Sequence, residues 1–243
     1  MTKINLICLP YAGGSAAIYS KWSKLLNNYI RFHPFEMAGR AGRHKEPFYD
    51  SLQEAVEDVI ALIQRECVDS DYAVWGHSMG SIMAYELICQ LQKRKLKQPV
   101  HVFFSGRYPP SVIKEERNLH MLSEPEFEEE AVKLGGLPKN LFRLKGLLKL
   151  ALDTLRADYR ILETYAPGTL EARFDFNISV LAGKEDELAE PEDMRKWMNY
   201  CGRQCKFYYF EGGHFYLHNH AEEITRIINN TLALAKKEVA NGG

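Results

Sequence analysis

The chain has 243 residues, enough for one sizeable α/β domain or two small ones, and 46% of them are apolar, enough for a full core. Its formal net charge of -1 points to neither nucleic acid nor an anionic membrane surface as a partner, and no apolar run approaches the length of a membrane span. Cys8, Cys67, Cys89, Cys201 and Cys205 are odd in number and scattered, which argues against a disulfide framework and a zinc site; they read as free thiols, with the cytoplasm as the expected compartment.

Residues 4–10 form a strand pattern that ends at Pro10; Met1-Thr2-Lys3 followed by the apolar run 4–9 is too short for a signal-peptide apolar region and lacks a cleavage site, and reads better as a first strand. A glycine-containing loop, Tyr11-Ala12-Gly13-Gly14-Ser15-Ala16-Ala17, leads into a helix predicted over 19–26, and 29–36 is a second strand candidate. Residues 37–47, with two glycines and two arginines, read as an exposed loop. Ser51 followed by Glu54 marks the start of a helix over about 52–66. A short apolar strand over 72–75 and a helix over 79–93 flank Gly76-His77-Ser78-Met79-Gly80, and 100–105 is an unbroken apolar strand of the kind buried on both faces. Between 111 and 166 no strand is convincing; helices are predicted over 124–134, 138–150 and 150–164, with Gly135-Gly136-Leu137-Pro138 as a hinge-like break. Strands resume at 176–182 and 206–210, a helix closes the chain over about 220–237, and Ala240-Asn241-Gly242-Gly243 reads as a disordered tail. The alternation predicts an α/β protein with a doubly wound sheet and one helical insertion.

The chemistry centres on G-x-S-x-G at a strand-to-helix junction. A nucleophilic serine must project from a very tight turn, so the residues two before and two after it need minimal side chains. The turn also aims Ser78 at the positive end of the following helix. A serine hydroxyl needs a base, and the base needs a group that fixes its tautomer. The loop after 176–182 offers Asp186, with Glu185 and Glu187 as rivals, and the loop after 206–210 offers His214 behind Gly212-Gly213, with His218 and His220 nearby. Two backbone N–H groups are needed for an oxyanion: Met79, directly after the nucleophile, and Ala12, with Tyr11 as the alternative. No phosphate-binding glycine motif is present.

With these pieces in place, the chain resembles the type II thioesterases of nonribosomal peptide and polyketide assembly lines over about residues 4–235. The matching segments are Leu9-Pro10-Tyr11-Ala12-Gly13-Gly14-Ser15, Gly39-Arg40 with Arg43, Gly76-His77-Ser78-Met79-Gly80, Leu134-Gly135-Gly136-Leu137-Pro138, Leu155-Arg156-Ala157-Asp158-Tyr159, Gly183-Lys184-Glu185-Asp186 and Gly212-Gly213-His214-Phe215. Two departures stand out: many relatives read Asp-Asp where this chain has Glu185-Asp186, and Pro where it has Ala38. The resemblance implies an α/β-hydrolase fold, a mostly parallel central sheet with helices on both faces, its core formed by 1–107 and 169–243 and a helical lid by 108–168. It implies hydrolysis of acyl groups from the phosphopantetheine arm of acyl or peptidyl carrier proteins, with Ser78 as nucleophile, His214 as base, Asp186 as orienter and no metal or bound cofactor, the arm being part of the substrate. Arg40, Arg43 and His44 are candidates for meeting an acidic carrier surface or are simply a solvated basic loop. Leu137, Leu141, Phe142, Leu144, Leu147 and Leu148 are candidates for lid packing or an acyl channel. The alternatives are a carboxylesterase or acyltransferase on the same scaffold and a non-catalytic protein that binds an acyl ligand or a partner.

Overall fold

The computed structural model describes residues 3–68, 70–114, 117–136, 145–168 and 173–241. Six strands, β1 (Ile4–Leu9), β2 (Ile30–Pro34), β3 (Tyr72–His77), β4 (His101–Ser105), β5 (Asn177–Gly183) and β6 (Cys205–Phe210), form one sheet in the order β2-β1-β3-β4-β5-β6. Every neighbouring pair is parallel. Strands β1, β3 and β4 are buried along their whole length because both faces of the sheet are covered. Successive residues of β1 serve opposite cores, as the period of two requires: Ile7 and Leu9 join one apolar cluster, Leu6 and Cys8 the other.

The first cluster packs against α1 (Leu52–Glu66) and α2 (Met79–Lys93). The second packs against a 3-10 helix, Ala16–Lys24, and the last helix. The remaining α-helices among the described residues are α3 (Glu124–Leu134), α4 (Lys145–Glu163), α5 (Pro191–Met194) and α6 (Ala221–Asn241). Helix α1 begins where its cap predicts: the Glu54 N–H donates to Ser51 Oγ at 3.2 Å, and the Glu54 carboxylate reaches back to the Asp50 N–H at 2.8 Å. Between β4 and β5 no strand occurs among the described residues; α3, α4 and the turn Leu119–Met121 share a small apolar cluster of Leu119, Phe127, Ala131 and Leu155.

Several expectations change. The helix expected at 19–26 is a 3-10 helix three residues earlier, with Tyr19 and Trp22 turned into the core. The break expected at 150 is absent: α4 runs unbroken, since its interior past the first turn holds neither glycine nor proline. The start of the predicted 138–150 segment and the residues Leu137, Pro138, Leu141, Phe142 and Leu144 lie outside the described residues, while Gly135 ends α3 in the left-handed region at φ 73°. Leu147 is half exposed, whereas Leu148 lines a cleft with Phe127, Leu152 and Arg156. Ala240 and Asn241 belong to α6 rather than to a tail; Gly242 and Gly243 lie outside the described residues. No helix among the described residues is long and apolar enough to cross a membrane.

Candidate active site

The strand order reverses between β1 and β3: the chain first adds β2 on one side of β1, then builds β3 to β6 on the other. At such a point the crossovers diverge and a crevice opens at the carboxyl ends of the strands. The loop after β1 and the Ser78 turn after β3 are the two walls of that crevice. The loops after β5 and β6 add Asp186 and His214 at the same end of the sheet.

Ser78 has φ 54° and ψ -114°, a conformation in which an L-residue is strained. The surroundings fix it there. The Ser78 N–H donates to the Ser105 carbonyl at 2.8 Å, and the Ser81 N–H donates to the Ser78 carbonyl at 2.9 Å. A Cβ on Gly76 would lie 2.1 Å from the Gly80 carbonyl oxygen, and one on Gly80 would lie 2.3 Å from that of Leu9. The two glycines are therefore set by close approach of strand, turn and helix. Helix α2 starts at Met79, whose N–H is among the first donors of a helix and has no acceptor within it.

Asp186 is 2% exposed, whereas Glu185 and Glu187 face solvent. Its Oδ1 accepts the N–H groups of Leu188 and Ala189, both at 3.0 Å, and its Oδ2 accepts from His214 Nδ1 at 2.9 Å. The loops carrying the two residues are joined through backbone: Lys184 N–H to the Phe210 carbonyl at 2.8 Å and Glu185 N–H to that of Gly212 at 3.2 Å. The carboxylate thus fixes the imidazole with Nδ1 protonated, which leaves Nε2 as the free basic nitrogen. No hydrogen bond joins Ser78 to His214 among the described residues. The ring of the adjacent His77 stands 5.2 Å from that of His214, centroid to centroid, which brings the turn and the loop together. In unliganded sites the contact between nucleophile and base is commonly loose and tightens around substrate.

His77 itself is fully buried. Its Nδ1 meets Ser105 Oγ at 2.7 Å, and that hydroxyl meets the Tyr216 hydroxyl at 2.5 Å. Its Nε2 is buried close to the His214 backbone. Burial, reinforced by the nearby His214, holds its pKa well below the ordinary value, so it stays neutral. The other histidines are occupied elsewhere: His218 with the Tyr11 hydroxyl, His220 with the Glu211 carbonyl, His101 with Ser179, His120 with Glu163, His33 with Asn5 and His44 with the Ala41 carbonyl.

The loop after β1 is a tight turn in which the Gly14 N–H donates to the Tyr11 carbonyl at 2.9 Å and Gly13 has φ 78°. Among the described residues the Ala12 N–H has no protein acceptor. The Tyr11 ring packs edge-on against His77 and Phe215. The segment read as an exposed loop is different at its start: Met37, Ala38 and Arg40 are buried. Arg40 is 6% exposed and forms a two-pronged ion pair with Asp158, which is 2% exposed. Arg43 pairs with Asp58 and Glu46. Neither arginine is a free cation for a docking surface; a guanidinium inside the protein needs a carboxylate, and Arg40 finds one 118 positions along the chain. Both halves of that pair sit in recognisable motifs, yet nothing in the sequence couples them, and Ser105 and Tyr216 carry no motif at all. Among the described residues, no group of three or more His, Cys, Asp or Glu side chains is arranged to hold a metal ion.

Residues 4–232 match the family model described as a thioesterase domain. The solved structure of ClbQ from the colibactin NRPS/PKS pathway superposes with a TM-score of 0.91 at 34% identity, covering 97% of this chain and 99% of that one. The gramicidin S biosynthesis protein GrsT of Aneurinibacillus migulanus is 29% identical over 96% of this chain and 90% of its own length. The medium-chain S-acyl fatty acid synthase thioesterase of Homo sapiens is 28% identical over 93% of this chain and 84% of its own.

Proposed function

Because the chain belongs to the thioesterase family, we propose that it hydrolyses acyl groups held as thioesters on the phosphopantetheine arm of acyl or peptidyl carrier proteins, as a type II thioesterase of nonribosomal peptide or polyketide biosynthesis. The observation that carries this is the buried Asp186–His214 pair at 2.9 Å beside a serine held in a strained turn at the switch point of the sheet. The likeness to ClbQ and GrsT supports the class of substrate.

Two steps follow from the chemistry. Ser78 Oγ attacks the thioester carbonyl while His214 Nε2 takes its proton; the imidazolium faces Asp186, and the tetrahedral oxyanion lies against the Met79 and Ala12 N–H groups. Collapse expels the pantetheine sulfur, which takes the proton from His214. Water, giving its proton to His214, then attacks the acyl-enzyme, and collapse of the second oxyanion returns the serine and frees the acid. The roles require no metal; the arm arrives with the carrier as substrate. The described helices of the 108–168 stretch, α3 and α4, serve as the lid over this site.

The test is acyl release from an acetyl-loaded carrier, followed by intact mass, with wild type and Ser78→Ala side by side. Release by wild type alone is the expected result. A wild type that leaves the carrier loaded but cleaves a simple aryl ester sinks the carrier assignment and leaves a serine esterase.

A further inference from the structure

We propose that the Arg40–Asp158 pair is a positioning device for the oxyanion loop, through which helix α4 sets the catalytic geometry; the inference rests on the assignment of the Ala12 N–H as an oxyanion donor. The contacts form a closed circuit. The Gly13 N–H donates to Asp158 Oδ2 at 2.7 Å. The same oxygen accepts from Arg40 Nη1 at 2.7 Å, and Oδ1 accepts from Nη2 at 2.5 Å. Arg40 Nη1 then donates to the Gly14 carbonyl at 2.9 Å. The peptide groups just beyond Ala12 are therefore gripped on their donor side by the carboxylate and on their acceptor side by the guanidinium. One turn earlier on α4, Leu155 packs against the same loop, its Cδ1 2.9 Å from where a Cβ on Gly13 would stand.

Two physical points favour positioning over plain stabilisation. A buried ion pair is a poor stabiliser compared with apolar side chains of the same volume, so its presence asks for another reason. And a carboxylate one residue from an oxyanion donor would oppose the charge that develops in the transition state; the guanidinium cancels that charge while leaving the Gly13 hydrogen bond intact. Helix α4 is itself fastened to the core, with Arg160 Nη2 on the Tyr49 carbonyl and on Asp50 Oδ1, both at 3.0 Å. It also holds the 119–122 turn, through Glu163 to the Leu119 and His120 N–H groups and Arg156 to the His120 and Leu122 carbonyls. Asp158 thus stands on a helix tied both to the loop at Tyr49 and Asp50 and to the 119–122 turn.

The test compares wild type, Asp158→Ala, Asp158→Asn and the double variant Arg40→Met/Asp158→Leu. Each is assayed on 4-nitrophenyl butyrate and on an acetyl-loaded carrier, with competent Ser78 counted by fluorophosphonate titration. Inhibition by butylboronic acid, which adds to the serine and places an oxygen in the oxyanion site, gives a second readout. Asp158→Ala is expected to lower kcat per titrated serine by about 100-fold with KM within about threefold, and to weaken the boronate in parallel. Asp158→Asn, whose amide oxygen can still accept the Gly13 N–H although its NH2 faces Arg40 Nη2, recovers part of the loss. The double variant melts near wild type yet stays slow, and it decides the matter if Asp158→Ala does not fold. A double variant with wild-type kcat and boronate affinity overturns the inference, as does an Asp158→Ala loss explained wholly by fewer titratable serines. A wild type inert to the ester and unlabelled at Ser78 removes the site and the inference together. A wild type that cleaves the ester alone removes only the carrier assignment.

Discussion

The two halves of the site, the turn after β3 and the paired loops after β5 and β6, each carry an imidazole, and their surroundings treat the two in opposite ways. His214 has a buried carboxylate on Nδ1 and is itself partly exposed; His77 has a hydroxyl on Nδ1 and a fully buried ring. The rings are 5.2 Å apart. Nearness to the serine does not make a base: a neighbouring carboxylate and an open face do, and burial without them turns a histidine into a neutral packing element.

The largest effects should come from the half with the carboxylate. Asp186→Asn leaves the geometry but allows the wrong tautomer, and is expected to lower kcat by about 10⁴-fold; steady-state kinetics with titrated enzyme would check it. A loss under about tenfold would mean that the imidazole does not depend on this carboxylate. On the other side, Gly80→Ala must push the Leu9 backbone aside, and should cost both activity and cooperative unfolding, read by esterase assay and thermal melt. His77→Asn is expected to act mainly on stability, by about 1–3 kcal/mol in a urea titration, with the shape of the pH–rate profile unchanged. A profile that shifts with His77 would erase the contrast between the two rings.

His101 carries the contrast to the other end of the sheet. It is buried against Ser179 and Phe103, and burial, aided by Lys206, pushes its pKa down to about 3. Folded, it stays neutral, whereas in the unfolded chain it takes a proton near pH 6.5. The unfolded state then binds more protons, so the contribution is complete above about pH 6.5 and is lost progressively as pH falls from there to about 3. A series of urea midpoints against pH should flatten in that window for His101→Gln. The smallest change is expected from Glu185→Gln and Glu187→Gln, whose exposed side chains should leave kcat within about twofold, against the collapse at Asp186.

Local signals were the readable ones. The strands showed as short apolar runs because a parallel sheet buries both faces, and α1 announced itself through Ser51 and Glu54 because a cap is a contact within four residues. The serine turn was legible because its sterics demand glycine at two fixed offsets. What stayed hidden depends on distant partners. Arg40 read as an exposed charge, on a docking surface or in a solvated loop, since its carboxylate lies on another helix; Asp186 was the choice among three acids after β5, but its rivals fell only when the fold buried it and left them exposed. The 3-10 form of Ala16–Lys24 follows from turning Tyr19 and Trp22 inward, a tertiary demand that local propensity does not carry.

The pairing of β4 with β5, His101 opposite Asn177 and Ser105 opposite Leu181, spans the whole stretch between them. Closing a flexible loop costs free energy only logarithmically in its length, about 0.6 kcal/mol per doubling. Lengthening or reshaping the chain between β4 and β5 therefore taxes the sheet very little, and that stretch can be remodelled while the strands keep their register. Helix α4 tethers this freedom: whatever is inserted or removed around it must still deliver a carboxylate to Arg40 and Gly13.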